Sequence, residues 1–188
     1  DLAKFTSLTT AKYHGDPKKR AAIRADLPQV LVTTYETARD DATKWTKVPG
    51  RKVDKGRRLD HHVLTEALVG RRVLIAYDEI SAKLGNRGST TFRAHDLLVK
   101  TLRKAQPDGT RTLGLTATPI ERNVETTYNL GRILTPKTMP TVADFNDNYV
   151  KRFDQYGNPA EFKNLSPDNM EDFDVVPFKT LLAPVLLR

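Results

Sequence analysis

The sequence predicts an α/β fold, a doubly wound and mostly parallel sheet flanked by helices. Two short apolar runs carry the prediction, Val73-Leu74-Ile75-Ala76-Tyr77 and Leu113-Gly114-Leu115. Each breaks off into polar residues, Asp78-Glu79 after the first and Thr116-Ala117-Thr118-Pro119 after the second. Runs of that length without polar alternation suit strands buried on both faces. A helical segment from about Thr90 to Ala105 separates them, and strand–helix–strand spacing recurs along the chain, as in right-handed crossover units. The 188 residues, 38% hydrophobic and 29% charged, suffice for a soluble domain with a full core.

Residues 7–13, rich in Thr and Tyr, read as a strand that stops at His14-Gly15. Asp16-Pro17 is a helix start, a capping side chain followed by proline in the first turn. The helix over 18–26 is expected to turn Ala21, Ala22 and Ala25 inward before Pro28. Gln29-Val30-Leu31-Val32 is the next buried strand. It ends in Thr33-Thr34-Tyr35-Glu36-Thr37, a collection of hydroxyls and amides that suits phosphate.

Residues 47–60 contain a proline, two glycines and few apolar side chains, so they read as a basic loop. Arg51, Lys52, Lys55, Arg57 and Arg58 there suit either a nucleic-acid backbone or plain solvation. Asp60 reads as the cap of a helix through Leu64, Leu68 and Val69 that ends at Gly70. Residues 84–89 form a loop, and the following helix lines up Phe92, Leu97, Leu98, Thr101 and Leu102. Pro107-Asp108-Gly109 turns the chain into a strand over 111–115. Beyond it the pattern is helical. Val124, Tyr128 and Gly131 share a face, Thr141 caps a helix carrying Val142, Phe145, Tyr149 and Phe153, and Ser166-Pro167 opens a helical tail. The division is therefore an α/β lobe over 1–136 and a helical extension over 137–188.

Net charge is +8 and the sequence pI about 9.7. That balance fits a polyanionic partner, nucleic acid before membrane, because no amphipathic anchor is visible, and no apolar run approaches a membrane span. Cysteine is absent, which excludes disulfides and thiolate metal sites and agrees with a reducing, cytoplasmic compartment. Four histidines without ligand spacing argue against zinc.

In open α/β sheets, ligands bind at the carboxyl ends of the strands. Asp78-Glu79 there offers one carboxylate to a hydrated Mg²⁺ and a second to polarise a water, the layout of a nucleotide triphosphatase. The plain alternative is a surface carboxylate pair after a strand.

Lys12-Tyr13-His14-Gly15, Val30-Leu31-Val32-Thr33-Thr34-Tyr35-Glu36, Asp78-Glu79 and Leu115-Thr116-Ala117-Thr118-Pro119-Ile120 follow a known order and approximate spacing. In these motifs the chain resembles the first RecA-like lobe of SWI/SNF-type helicase-like ATPases, the superfamily-two double-stranded DNA translocases. Asn123-Val124-Glu125 and Leu134-Thr135-Pro136 fit the same pattern. The resemblance implies ATP and Mg²⁺ as cofactors, with double-stranded DNA and a second RecA-like lobe of the same protein as partners. By it, Asp78 would hold Mg²⁺ through water. Glu79 would orient or deprotonate the attacking water, a contribution of roughly 10²–10⁴-fold in rate. Thr116 and Thr118 would line the nucleotide site and couple it to the DNA-bound state. Thr33, Thr34 and Tyr35 would touch the backbone of the tracked strand; apart from the resemblance, the charge of the 47–60 loop makes Arg51, Lys52, Arg57 and Arg58 candidate DNA contacts.

Departures from the pattern are equally specific. Ile80-Ser81 stands where the family usually has Ala-His, Ala117 replaces Gly, and Glu121-Arg122 replaces Gln and Asn. Ile80-Ser81 points to a divergent bacterial or viral member. No Gly-rich loop ending in Gly-Lys-Ser or Gly-Lys-Thr occurs. In the family that phosphate cradle lies upstream of the first strand here. The expectation is an incomplete first lobe that hydrolyses little or no ATP alone. The rival from another class is a non-catalytic DNA-binding module with a helicase-like fold, in which Asp78-Glu79 has no purpose. A two-carboxylate metal nuclease lacks further acidic or histidine ligands near Asp78.

Overall fold

The computed structural model describes residues 7–49, 57–117, 124–155, 157 and 159–162. In chain order the elements are β1 (Thr10–Tyr13), α1 (Pro17–Ala25), β2 (Val30–Thr33), α2 (Tyr35–Ala42), β3 (Thr43–Lys47) and β4 (Arg57–His61). Next come α3 (Val63–Leu68), β5 (Val73–Tyr77), α4 (Ile80–Leu84), α5 (Thr90–Ala105) and β6 (Thr110–Gly114). The last are α6 (Val124–Leu134), α7 (Val142–Tyr149), β7 (Val150–Phe153) and β8 (Pro159–Phe162). The protein is mixed α/β. Among the described residues the strands form four two-stranded sheets, β1–β2, β3–β4, β5–β6 and β7–β8. The first is parallel, and the second and fourth are antiparallel.

The elements gather into two compact units, Asp1–Ile75 with Arg87–Arg111, and Ala76–Asn86 with Thr112–Arg188. In the first, β1 and β2 pair from Thr10↔Val30 to Tyr13↔Thr33. Its core joins Tyr13, Ala38, Ala42, Leu64, Leu98 and Leu102, with Ile23, Leu31, Leu68 and Ile75 packed against them. Asp16 caps α1 as predicted, accepting the Lys18 N–H at 2.8 Å. The alanines do not face inward, however, and Ala21, Ala22 and Ala25 are exposed. Ile23 and the two arginines of α1 take that face instead. A methyl group has little area to bury, whereas Arg20 and Arg24 both reach the buried carboxylate of Asp41.

Sequence reading missed α2, which starts at the threonine pair and runs directly into β3. Residues 47–60 are correspondingly not all loop, since β4 pairs with β3 from Thr43↔His61 to Lys47↔Arg57. Asp60 lies in that ladder and caps nothing. His62 precedes α3, without a side-chain capping bond. Helix α5 has its predicted bounds, with Ser89 accepting the Phe92 N–H at 3.0 Å.

In the second unit the Leu115 N–H donates to Tyr77 O at 2.8 Å and the Ile80 N–H donates to Leu115 O at 3.1 Å. Helix α6 packs its Tyr128 ring flat on Phe145 of α7, centroids 3.8 Å apart. Thr141 caps α7 in a reciprocal box with Asp144. The helical extension expected beyond residue 137 stops at the end of α7. After Tyr149 the chain turns into the β7–β8 hairpin, with Phe153 in a strand and 43% exposed. Gly157, at φ 79°, makes the reversal, and its N–H donates to Asp154 O at 3.0 Å. The predicted tail from Ser166 lies outside the described residues.

The strands are not buried on both faces. Leu74 is 65% exposed, Val32 52% and Leu115 50%. An unbroken apolar run marks a strand, but the number of layers over it is a tertiary property. No helix among the described residues is long and apolar enough to cross a membrane.

Candidate functional site

The turn after β5 alternates sharply between inside and outside. Tyr77 and Ile80 are buried, while Asp78 and Glu79 between them are exposed. Glu79 makes this possible with a left-handed backbone, φ 48° and ψ 44°. It is the sole non-glycine residue with positive φ among those described. That conformation costs a side-chain-bearing residue about 1–2 kcal/mol, a strain found at functional turns. The bonds from Ile80 N–H to Leu115 O and from Leu115 N–H to Tyr77 O hold the turn against the end of β6. One step further the Ser81 and Thr116 hydroxyls meet at 2.7 Å. Asp78, Glu79 and Thr116 are therefore brought to one edge. Thr118 lies outside the described residues.

Helix α4, which starts from this turn, is anchored at its far end. The Asn129 side-chain amide donates to Gly85 O at 2.9 Å. A Cβ at Gly85 would come within 2.7 Å of Thr126 Cγ2 and of the Ser81 carbonyl, so glycine permits the close approach of α6.

Mg²⁺ keeps several waters and takes one or two carboxylates together with phosphate oxygens. Exposed Asp78 and Glu79 at a strand end fit that donor set. Among the described residues no group of three or more His, Cys, Asp or Glu could hold a metal ion.

In the other unit, Thr33, Thr34 and Tyr35 form the junction of β2 and α2. Thr33 Oγ1 donates to Tyr13 O at 2.8 Å. Thr34 caps α2, accepting the Thr37 N–H at 3.1 Å, and its own hydroxyl lies 3.1 Å from Thr37 Oγ1. Both hydroxyls therefore serve the fold. His95 of α5 holds the junction from below, its Nε2 3.2 Å from Tyr35 O and its ring edge-on to Tyr35 at 5.4 Å. Burial pushes the His95 imidazole down to about 4, so it is neutral at physiological pH.

Beneath the junction lies a cluster that sequence reading missed. Tyr13 OH donates to Asp41 Oδ2 at 2.6 Å, and Arg20 reaches both Asp41 oxygens, at 2.7 and 3.1 Å. Arg24 contacts the same carboxylate at 3.1 Å. Burial pushes the Asp41 carboxyl up, but the bonds from Arg20 and Tyr13 and the two guanidinium charges outweigh it and hold the group below its ordinary value. Burial and the Asp41 carboxylate raise Tyr13. No local signal marks this cluster, because its members lie up to 28 residues apart.

Of the predicted basic contacts, Arg58 is exposed and pairs with Asp60 at 2.7 Å. Arg57 stands opposite Lys47 in the β3–β4 ladder. Arg51 and Lys52 lie outside the described residues. The structure adds Lys44, Trp45 and Lys47 to this surface, all exposed on β3. Their signal was available in Thr43-Lys44-Trp45-Thr46-Lys47, a short run rich in strand-forming Thr and Trp. Compared with known proteins, the chain matches no family model and no curated protein.

Proposed function

We propose that this chain is part of the first RecA-like lobe of an ATP-dependent double-stranded DNA translocase, similar to the SWI/SNF-type motors. It supplies the Asp78-Glu79 hydrolysis motif and contacts to the DNA backbone. The observation that carries the reading is the tie between the Asp78-Glu79 turn and Leu115-Thr116, made by two backbone bonds to Leu115 and by the Ser81–Thr116 hydroxyl pair. Acids after one strand, joined to hydroxyls after its neighbour, are what a nucleotide site at the carboxyl edge of a sheet needs.

In this reading Asp78 would hold the Mg²⁺ and Glu79 would take the proton of the water that attacks the terminal phosphate. Mg²⁺ bound with ATP supplies neutralisation of the phosphate charge. The turn leaves Glu79 exposed while the next residue, Ile80, is only 1% exposed. Ser81 stands where the family usually has histidine, and its hydroxyl joins the hydrolysis motif to the threonine turn. The junction at Thr33, Thr34 and Tyr35 meets DNA phosphates at the start of α2, where the helix dipole favours an anion. Arg57 and Arg58 add charge that positions the duplex without reading its sequence.

The test is DNA-stimulated ATP hydrolysis by the intact protein. Glu79→Gln should abolish turnover while leaving ATP binding in place, and Asp78→Ala should weaken the Mg²⁺ dependence. Undiminished hydrolysis in Glu79→Gln would remove the motif from the chemistry.

A further inference from the structure

Helix α4 is too short to hold its own direction. It has five residues and no side-chain cap, and it starts from the left-handed Glu79. A helix of that length is unstable alone, so its placement comes from what it touches. Ile80 and Leu84 are 1% and 0% exposed, which decides the face that packs inward. Two polar ties then secure the ends. One is the Ser81–Thr116 hydroxyl pair. The other comes from α6, where the Asn129 amide donates to Gly85 O at 2.9 Å.

Stability does not explain the second tie. Asn129 is 1% exposed, and its Oδ1 is buried with no hydrogen-bond partner among the described residues. A buried amide with its acceptor unpaired is a poorer filler than a leucine of the same branching. Asn129 is also firmly mounted. Its chain neighbour Tyr128 lies flat on Phe145 of α7 and donates to Pro140 O at 3.0 Å. Leu130 and Ile133 of the same helix are buried. Helix α6 is therefore a rigid reference against which the end of α4 is set.

We infer that Asn129 is a positioning residue for hydrolysis: by holding Gly85 O it fixes the direction of α4, and with it the position of Glu79. The inference rests on the hydrolysis reading above and adds to it a residue of α6 that lies outside the motif. The lever is short, since Glu79 and Gly85 flank the two ends of α4, about 9 Å apart. Slack at Gly85 thus reaches Glu79 directly, and misplacing a reacting group by about 1 Å lowers turnover by up to about 100-fold.

The experiment uses the intact protein. Asn129→Leu keeps the branching of the side chain and removes the donor. Loss of the bond is offset by loss of the unpaired Oδ1, so the urea midpoint should stay at or above that of the parent. DNA-stimulated kcat should fall at least about 10-fold, while KM for ATP changes by less than about twofold. Gly85→Ala loosens the same end by another route, because a Cβ there meets Thr126 Cγ2 at 2.7 Å. It should give the same split between kcat and KM, and it decides the question should Asn129→Leu fail to fold. Undiminished kcat in either variant would overturn the inference. So would a kcat that falls only in step with the urea midpoint, the mark of a packing residue, or an equal loss of ATP affinity. A fully active Asn129→Leu beside an inactive Glu79→Gln removes this inference alone. Undiminished hydrolysis in Glu79→Gln removes the hydrolysis reading with it.

Discussion

Ser81 Oγ and Thr116 Oγ1 lie 2.7 Å apart, joining the residue just past the Asp78-Glu79-Ile80 turn to the first residue of the threonine turn. The partners are 35 residues apart in sequence, and Ser81 is buried. A shift of either turn is thereby transmitted to the other.

This pair should behave as a unit. Ser81→Ala and Thr116→Ala each remove one partner of a partly buried bond and should each destabilise the chain by about 1 kcal/mol. The double variant should cost no more than about the larger single effect, giving a coupling energy of at least about 0.5 kcal/mol in urea unfolding. Strict additivity would show that the bond contributes nothing. In the intact protein the same variants should lower DNA stimulation of ATP hydrolysis more than basal hydrolysis.

Strain at Glu79 separates stability from activity. Glu79→Gly relieves a left-handed backbone, φ 48°, that costs about 1–2 kcal/mol, and the greater freedom of glycine in the unfolded chain offsets about half of that. The variant should be more stable by about 0.5–1 kcal/mol, read as a higher urea midpoint, while DNA-stimulated hydrolysis is lost. Glu79→Gln keeps the strain and should match the parent midpoint. A Glu79→Gly variant less stable than the parent would mean that the carboxylate, not the backbone, is what the turn supports.

Local chemistry was legible in the sequence, and non-local pairing was not. Asp16-Pro17 announced α1 because a cap is written within four residues of its helix, and the apolar face of Phe92, Leu98 and Leu102 announced α5. The apolar runs announced β2, β5 and β6, yet the exposure of Val32, Leu74 and Leu115 depends on what packs over them. Strand β3 escaped notice because its lysines resemble loop, and its partner stands beyond a basic segment. Asp60 looked like a cap for the same reason. At the candidate site the acids were readable as a motif, whereas Ser81 gained its meaning only from Thr116, and Asp41 gave no signal beside the two arginines it binds.

Asp41 should be among the most sensitive positions in its unit. Asp41→Asn leaves two guanidinium groups and the Tyr13 hydroxyl without their shared anion, and breaking such a buried network costs about 3 kcal/mol. Tyr13→Phe and Arg24→Ala should cost less, since each leaves the bidentate Arg20 contact intact. The folded Asp41 carboxyl titrates below its ordinary value, so this stabilisation is complete above the unfolded pKa of about 4 and fades as pH falls through the lower folded value. Urea midpoints of parent and Asp41→Asn should converge in that acid range, and a constant gap there would remove Asp41 as the titrating group.

His95 sets a second, higher window. Its imidazole is buried against Tyr35 with Arg39 and Glu36 nearby, and burial holds it down to about 4. An unfolded histidine takes up its proton near pH 6.5, the folded one not until about 4. Between those values the unfolded state binds more protons, so stability falls as pH falls, by about 1.4 kcal/mol per pH unit and ~3 kcal/mol in all. Below about pH 4 both states are charged and the loss is complete. His95→Gln should be less stable than the parent at pH 7 and should lack this slope, with the two stability curves converging towards pH 4. Parallel curves would show that His95 is not the group that loosens the junction of β2 and α2 in mild acid.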